Sequence, residues 1–209
     1  MGSAGGCERM IPLQFALRHR MMMVSSNAPL VFEYTGNYTD NRDANGVGTV
    51  EFTSSGTLTV LSGKATVFAY ILGAGGGGAQ ITNTSHSRYS ASGGGGGYQT
   101  VEIDLAPGTY EIVIGTGGHG YYSPYSGRDV TGDGGNTTAF GVTSTGGIGG
   151  EVATPSGSAA SQPGVGGSPN GGSGNSSVAP GGYPNGGASN GQSAAANAGG
   201  NGLVRLTFS

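Results

Sequence analysis

The sequence predicts an all-β protein: an antiparallel β-sandwich with ordered, glycine-rich, polyglycine-II-like excursions between its strands. Three observations lead there. Apolar and polar residues alternate at period two in short stretches rich in Val, Ile, Thr, Tyr and Phe, with almost no helical periodicity. Glycine supplies 47 of 209 residues and gathers in blocks between those stretches. The chain closes on an apolar strand, "NGLVRLTFS", which must return to a sheet built much earlier.

Taken in order, "LVFEYTG" (Leu30–Gly36) is the first strand. "VGTVEFTSSGTLTV" reads as a hairpin, with Val50 and Phe52 on one arm, Leu58 and Val60 on the other, and Ser54-Ser55-Gly56 as its turn. "ATVFAYILG" (Ala65–Gly73) is apolar on both faces, as a central strand would be. "YQTVEIDLAPGTYEIVIG" reads as a second hairpin. Val101, Ile103, Leu105, Tyr110, Ile112 and Ile114 point inward, and Ala106-Pro107-Gly108 turns the chain. In the last strand Leu203 takes one face and Val204, Leu206 and Phe208 the other. Residues 27–115 therefore form a sandwich core completed by 202–209, and 116–201 form a glycine-rich appendage inserted between strands.

The two glycine-rich stretches, 73–97 and 116–201, leave the core and come back. Some eighty structureless residues inside a compact domain would be unusual, so order is expected there; the rival reading is a flexible Gly/Ser/Asn tract. Glycine lacks a Cβ and lets backbones approach closely. Extended helices of three residues per turn point all their amides and carbonyls outward and can bond side by side. Blocks such as "TGGHG", "GDGGN" and "TGGIGG", with single protruding residues, suit such packing; the strict Gly-X-Y repeat of collagen is absent.

Charged residues make up only 9% and the net charge is −3, so no basic stripe points to nucleic acid. No apolar run is long enough to insert in a membrane. One cysteine, Cys7, allows neither an internal disulfide nor a Cys-based zinc site. The glycine strings open no helix after a strand, so they form no phosphate loop. His19, His86 and His119 are scattered, and Asp129, Asp133 and Asn136 lack the spacing of a calcium loop. Glu102, Asp104 and Glu111 form a solvated face rather than an acid/base pair. No catalytic, metal or cofactor site is expected.

Residues 1–26 read as a docking arm, against the plainer alternative of a frayed N-terminus; within them "MGSAGGCER" reads as upstream sequence, with Met10 as an alternative natural start. Arg18, His19 and Arg20 interrupt its apolar run, which does not fit a signal peptide. Ile11, Leu13, Phe15 and Leu17 would bury themselves on the next protein of an assembly or on another copy of the chain. Aromatic and basic residues gather in the excursions: His86, Arg88 and Tyr89 in one; His119, Tyr121, Tyr122, Tyr125 and Arg128 in the next; Tyr183 in the last. Tyrosine gives large contact area with a polar tip and little entropy loss. These residues form either a contact surface for a glycan or a protein, or a cap on the edges of the glycine layers.

"FEYTGNYTD", "VEFTSSGTLTV", "FAYILGAGGGGA", "GGGGGYQTVEIDLAPGTYEIVIGTGGHG", "GGNTTAFG" and "STGGIGGE" together resemble the glycine-rich domain of phage and prophage tail-associated proteins, over residues 30–209. The glycine blocks are more distantly similar to the polyglycine sandwiches of some phage tail-fibre adhesins. The resemblance implies a non-enzymatic, oligomeric virion surface part, such as a tail fibre or tail tip displaying loops for host attachment. Two rival expectations stand beside it: a capsid decoration or head-fibre protein with no receptor role, and a glycine-rich bacterial extracellular matrix protein.

Overall fold

Period-two alternation becomes two facing sheets. The computed structural model describes residues 29–82, 88–123, 129–130, 132–153, 160–173 and 198–209. In chain order the strands are β1 (Val31–Tyr34), β2 (Tyr38–Asp40), β3 (Gly48–Phe52), β4 (Gly56–Ser62), β5 (Ala65–Leu72), β6 (Ala79–Thr82), β7 (Arg88–Ala91), β8 (Tyr98–Leu105), β9 (Gly108–Val113), β10 (Tyr121–Ser123), β11 (Asp129–Val130), β12 (Thr137–Ala139), β13 (Val142–Ser144), β14 (Glu151–Ala153), β15 (Ala160–Gln162) and β16 (Leu203–Phe208). One five-stranded sheet has the order β1-β4-β9-β12-β13 and the other β2-β3-β16-β5-β8. Every pairing within these two sheets is antiparallel.

Their inner faces share one core, in which Val50, Phe52, Leu58, Val67, Ile71, Leu105, Ile112, Val204 and Leu206 are buried. Each such side chain is worth about 1.5–3 kcal/mol of transfer free energy. At one margin Phe32, Tyr34, Tyr38 and Phe52 pack ring to ring, with centroids 4.6 to 6.4 Å apart, and join the first strands of both sheets.

The final strand does return, and it lies between β3 and β5 with Val204 opposite Phe52 and Ile71. The two hairpins expected from sequence are not hairpins. β3 and β4 belong to opposite sheets, and so do β8 and β9. Ser54-Ser55-Gly56 and Ala106-Pro107-Gly108 are corners that carry the chain across the sandwich. Alternation is the same on both sides of such a corner, so periodicity alone cannot tell it from a hairpin turn. The hydroxyl of Tyr110 braces the second corner: it donates to the Ala106 carbonyl (2.9 Å) and accepts from the Ala106 amide (3.1 Å). β5 is an interior strand, yet only one of its faces is fully buried; Phe68 on the other is 50% exposed. Thr137–Ser144, within the glycine-rich half of the sequence, supplies β12 and β13 to the first sheet.

Candidate functional site

The glycine blocks run as extended rows from one end of the sandwich. Row one is 73–78, row two 92–97, row three 115–120, row four 132–136, row five 145–150, row six 163–168, row seven 171–173 and row eight 198–202. Odd rows lead away from the sandwich and even rows lead back.

The hydrogen bonds repeat every third residue. Row one donates from Gly73 and Gly76 to Gly97 and Gly94 of row two, from Ala74 and Gly77 to Gly135 and Gly132 of row four, and from Gly75 to Gly200 of row eight. Its carbonyls at Ala74 and Gly77 accept from Gly147 and Gly150 of row five, and those at Gly75 and Gly78 accept from Gly118 and Tyr121. Successive residues therefore bond three different neighbours, as a helix of three residues per turn requires. Rows two, five, four, three and eight surround row one in that order, a hexagonal arrangement. None of the row glycines has a positive φ. Glycine is needed instead for close approach: a Cβ on Gly73, Gly76, Gly94 or Gly147 would collide with the carbonyl of Thr145, Ile148, Val165 or Gly94 respectively. The same hydrogens point at those oxygens and add Cα–H···O contacts.

Apart from Ala74 and Ser92, which are buried, side chains in the rows stand where a row faces outward, and they recur with the same period. Thr116 and His119, Asp133 and Asn136, Thr145 and Ile148, Val165 and Ser168, and Ala198 and Asn201 each flank a Gly-Gly pair. Several seal the edge of the array. Asn136 Oδ1 accepts from the Gly146 amide (3.0 Å), Asp133 Oδ1 from Gly149 (2.9 Å) and Asn201 Oδ1 from Gly117 (2.9 Å). This X-Gly-Gly-X period is the signal that a search for the collagen repeat passes over.

Beyond the rows lie two small three-stranded sheets, β10-β6-β7 and β11-β14-β15, with Ala79, Ala91 and Val152 buried between them. β6, β10 and β14 all run away from the sandwich. The chain therefore turns round three times in one place, the far tip. The sequence reading did not anticipate this second, smaller pair of sheets.

The tip holds several of the residues singled out from sequence. Tyr121, half-buried, lies opposite Ala79, and Tyr122 opposite Gln80. Arg88 and Tyr89 lie opposite Thr82 and Ile81 on the other side of the same strand. β10 and β7 thus bring the two tyrosine-bearing excursions into one sheet. His119 is exposed on row three, its ring against Gly132. Gln80, which sequence reasoning passed over, is 1% exposed, and its Oε1 has no hydrogen-bond partner among the described residues. His86, Tyr125, Arg128 and Tyr183 lie outside the described residues, as do Ile11, Leu13, Phe15 and Leu17 of the arm. Among the described residues no cluster of His, Cys, Asp and Glu could hold a metal, and no helix is long and apolar enough to cross a membrane.

At the opposite end of the sandwich the described chain begins at Pro29. It lies beside a cleft of about 620 Å³ lined by Leu30, Val47, Ala65, Leu105 and Phe208 among others.

Comparison with curated proteins finds no match. The family model described as a glycine-rich domain matches residues 52–208, which take in every strand from β4 to β16 and the rows between them and leave out β1, β2 and all of β3 but Phe52. The chain belongs to this family of glycine-rich domains.

Proposed function

We propose that the protein is a non-enzymatic structural component of a phage virion, a tail-fibre or tail-tip part that presents its far tip to a host surface. One observation carries the reading. A rigid glycine array separates the sandwich from a tip where three excursions turn round together, and that tip collects Arg88, Tyr89, Tyr121 and Tyr122. A shaft of close-packed glycine rows keeps such a tip at a fixed distance, about 19 Å for six residues at 3.1 Å each. The chain enters the sandwich at the other end, which suits attachment there through the arm, to another virion protein or to a second copy. The recognised ligand is a cell-surface glycan or protein; tyrosine, arginine and histidine suit either.

The test is adsorption of purified protein to a panel of bacterial strains and to a glycan array. Replacing Tyr121, Tyr122 and Tyr125 together by Ala should lower adsorption at least about tenfold, with the array still folded. Equal adsorption of the two proteins, or adsorption of neither, removes the attachment role; the second outcome favours a decoration protein.

A further inference from the structure

We propose that the open edge of β8, with the apolar groove beside it, binds an extended segment of another protein by strand addition, and that this segment alternates basic with apolar residues. β8 closes one side of its sheet. β5 pairs with it along its whole length, and no described strand of that sheet lies beyond it. In an antiparallel pair, residues alternate between pointing their amide and carbonyl at the partner strand and pointing them away. Tyr98 shows which set points away. Its amide donates to the Pro169 carbonyl (2.7 Å) and its carbonyl accepts from the Asn170 side chain (3.1 Å), both outside the sheet. Thr100, Glu102 and Asp104 follow at alternate positions and point the same way. All three are exposed, and their outward backbone groups meet no backbone partner among the described residues. The edge is therefore covered at its first residue and free over Thr100–Asp104, a length of about 13 Å.

The sandwich is open on the same side. β12 pairs with β9 only at Ile112 and Val113, so no described strand flanks Gly108–Glu111 on the side away from β4. A groove of about 430 Å³ remains, lined by Ile103 of β8, Tyr110 and Val113 of β9, and Phe140. Phe140 and Gly141 form the two-residue turn that joins β12 to β13, with φ of 54° and 75°. A turn with both residues in the left-handed region favours Asn-Gly, and a bulky side chain there is strained. The ring it carries stands in the groove, its centroid 5.8 Å from that of Tyr110. Residues held in such backbone conformations cluster at binding sites.

Charge selects the occupant. Glu102 and Asp104 are exposed along the free edge, and Glu111 lines the groove. Glu102 and Glu111 form no ion pair among the described residues, where Arg42 and Arg205 are held by Asp40 and Glu51. A second copy of the chain does not fit. Two β8 edges paired antiparallel, with Thr100, Glu102 and Asp104 all bonded, would set Glu102 directly against Glu102. Like charges opposite each other destabilise such a pair, and charge on an edge is a common guard against self-pairing. The same carboxylates admit a strand with Lys or Arg opposite Glu102 and Asp104. Its alternate residues lie opposite Val101 and Ile103 and face the groove, so they are apolar. The site lies on the sandwich, not at the tip, and does not depend on the attachment role.

Backbone-resolved amide exchange on the full chain tests this, with a short synthetic peptide of alternating Lys and Val as the probe. Binding should slow the Thr100, Glu102 and Asp104 amides at least about tenfold, while the Val101 and Ile103 amides, turned toward β5, keep their rates. Two further peptides, N-methylated at every Lys or at every Val, separate strand addition from simple charge attraction. Methylation of the set that faces β8 should abolish binding, and methylation of the other set should leave it. Phe140→Asn, which suits the turn, should weaken binding at least about tenfold without lowering the melting temperature. Equal binding of the two methylated peptides would overturn the proposal, because charge alone would then hold the probe. So would failure of the unmodified peptide to bind, or slow exchange of the three edge amides in the free chain. Slowing that rises with protein concentration would assign the edge to a second copy and overturn it too.

Discussion

Arg42 sits where three parts of the chain meet. Its guanidinium binds both oxygens of Asp40, with the shortest contact at 2.7 Å, and donates to the Leu30 carbonyl at 2.9 Å. It also lies 4.9 Å from the ring centroids of both Phe32 and Phe208. A lysine could supply the charge but not the planar fork. Arg42→Lys should therefore destabilise the protein by about 1–2 kcal/mol, read from denaturant midpoints at constant m. The hydrogen bond from Arg42 holds Asp40 below its ordinary value of 3.8. A carboxylate with a depressed folded pKa contributes stability that is present above the unfolded value and is lost as pH falls through the folded one. Stability should thus decline on acidification below pH 3.8, and Asp40→Asn should flatten that part of the profile. Tyr34 gives the opposite case. Burial pushes its phenol up to about 12 from 10.0, and the hydroxyl donates to the Ser54 carbonyl at 2.6 Å. The neutral form is favoured in the fold, so its contribution is complete below pH 10.0 and is lost as pH rises through about 12. Tyr34→Phe should remove one late-ionising phenol from the ultraviolet titration and cost about 1 kcal/mol.

At the scale of elements, a glycine row is held by backbone geometry and a strand by side-chain packing. The two respond differently to substitution. Gly94→Ala forces a methyl against the Val165 carbonyl, and Gly147→Ala forces one against Gly94. Each should destabilise by about 3 kcal/mol or more, at the upper end of single-site effects. Val165→Ala, at an outward position that is 57% exposed, should change stability by less than about 0.5 kcal/mol. Thermal unfolding of the three variants side by side checks the contrast. The same difference explains what was legible in the sequence. Inward sets such as Val101, Ile103 and Leu105, or Val204, Leu206 and Phe208, could be read directly, because side-chain alternation at period two marks one face of a strand. Which strand pairs with which could not, because Pro107 and Gly108 serve a corner as well as a hairpin. The rows were legible only as composition. Their partners are backbone groups, identical at every residue, and only the spacing of Thr116 and His119, or Asp133 and Asn136, shows which face is outward. β6, β7, β10, β11, β14 and β15 are four residues or fewer, too short for alternation to register.

For the molecule as a whole, the sandwich supplies the hydrophobic core and the rows supply reach. Glycine loses more conformational freedom on ordering than any other residue, so the rows depend on being anchored at both ends. β5 runs directly into row one and row two directly into β8, while β6 and β7 close the same pair at the tip. The sandwich and the rows should therefore unfold together. A variant that weakens the core, such as Phe52→Leu, should shift the transition of both, followed by near-ultraviolet dichroism for the aromatic cluster and by exchange for the rows. Removing residues 1–26, in contrast, should leave the melting temperature unchanged and abolish incorporation into particles; particles that still contain the shortened chain would refute the docking role of the arm. The measurement that bears most directly on the account is the exchange rate of the Gly76, Gly77, Gly94 and Gly97 amides, each bonded to a neighbouring row. Ordered rows predict rates slowed to the level of β5 and β16. Rates equal to those of a free glycine peptide, with the sandwich amides still slow, would contradict it.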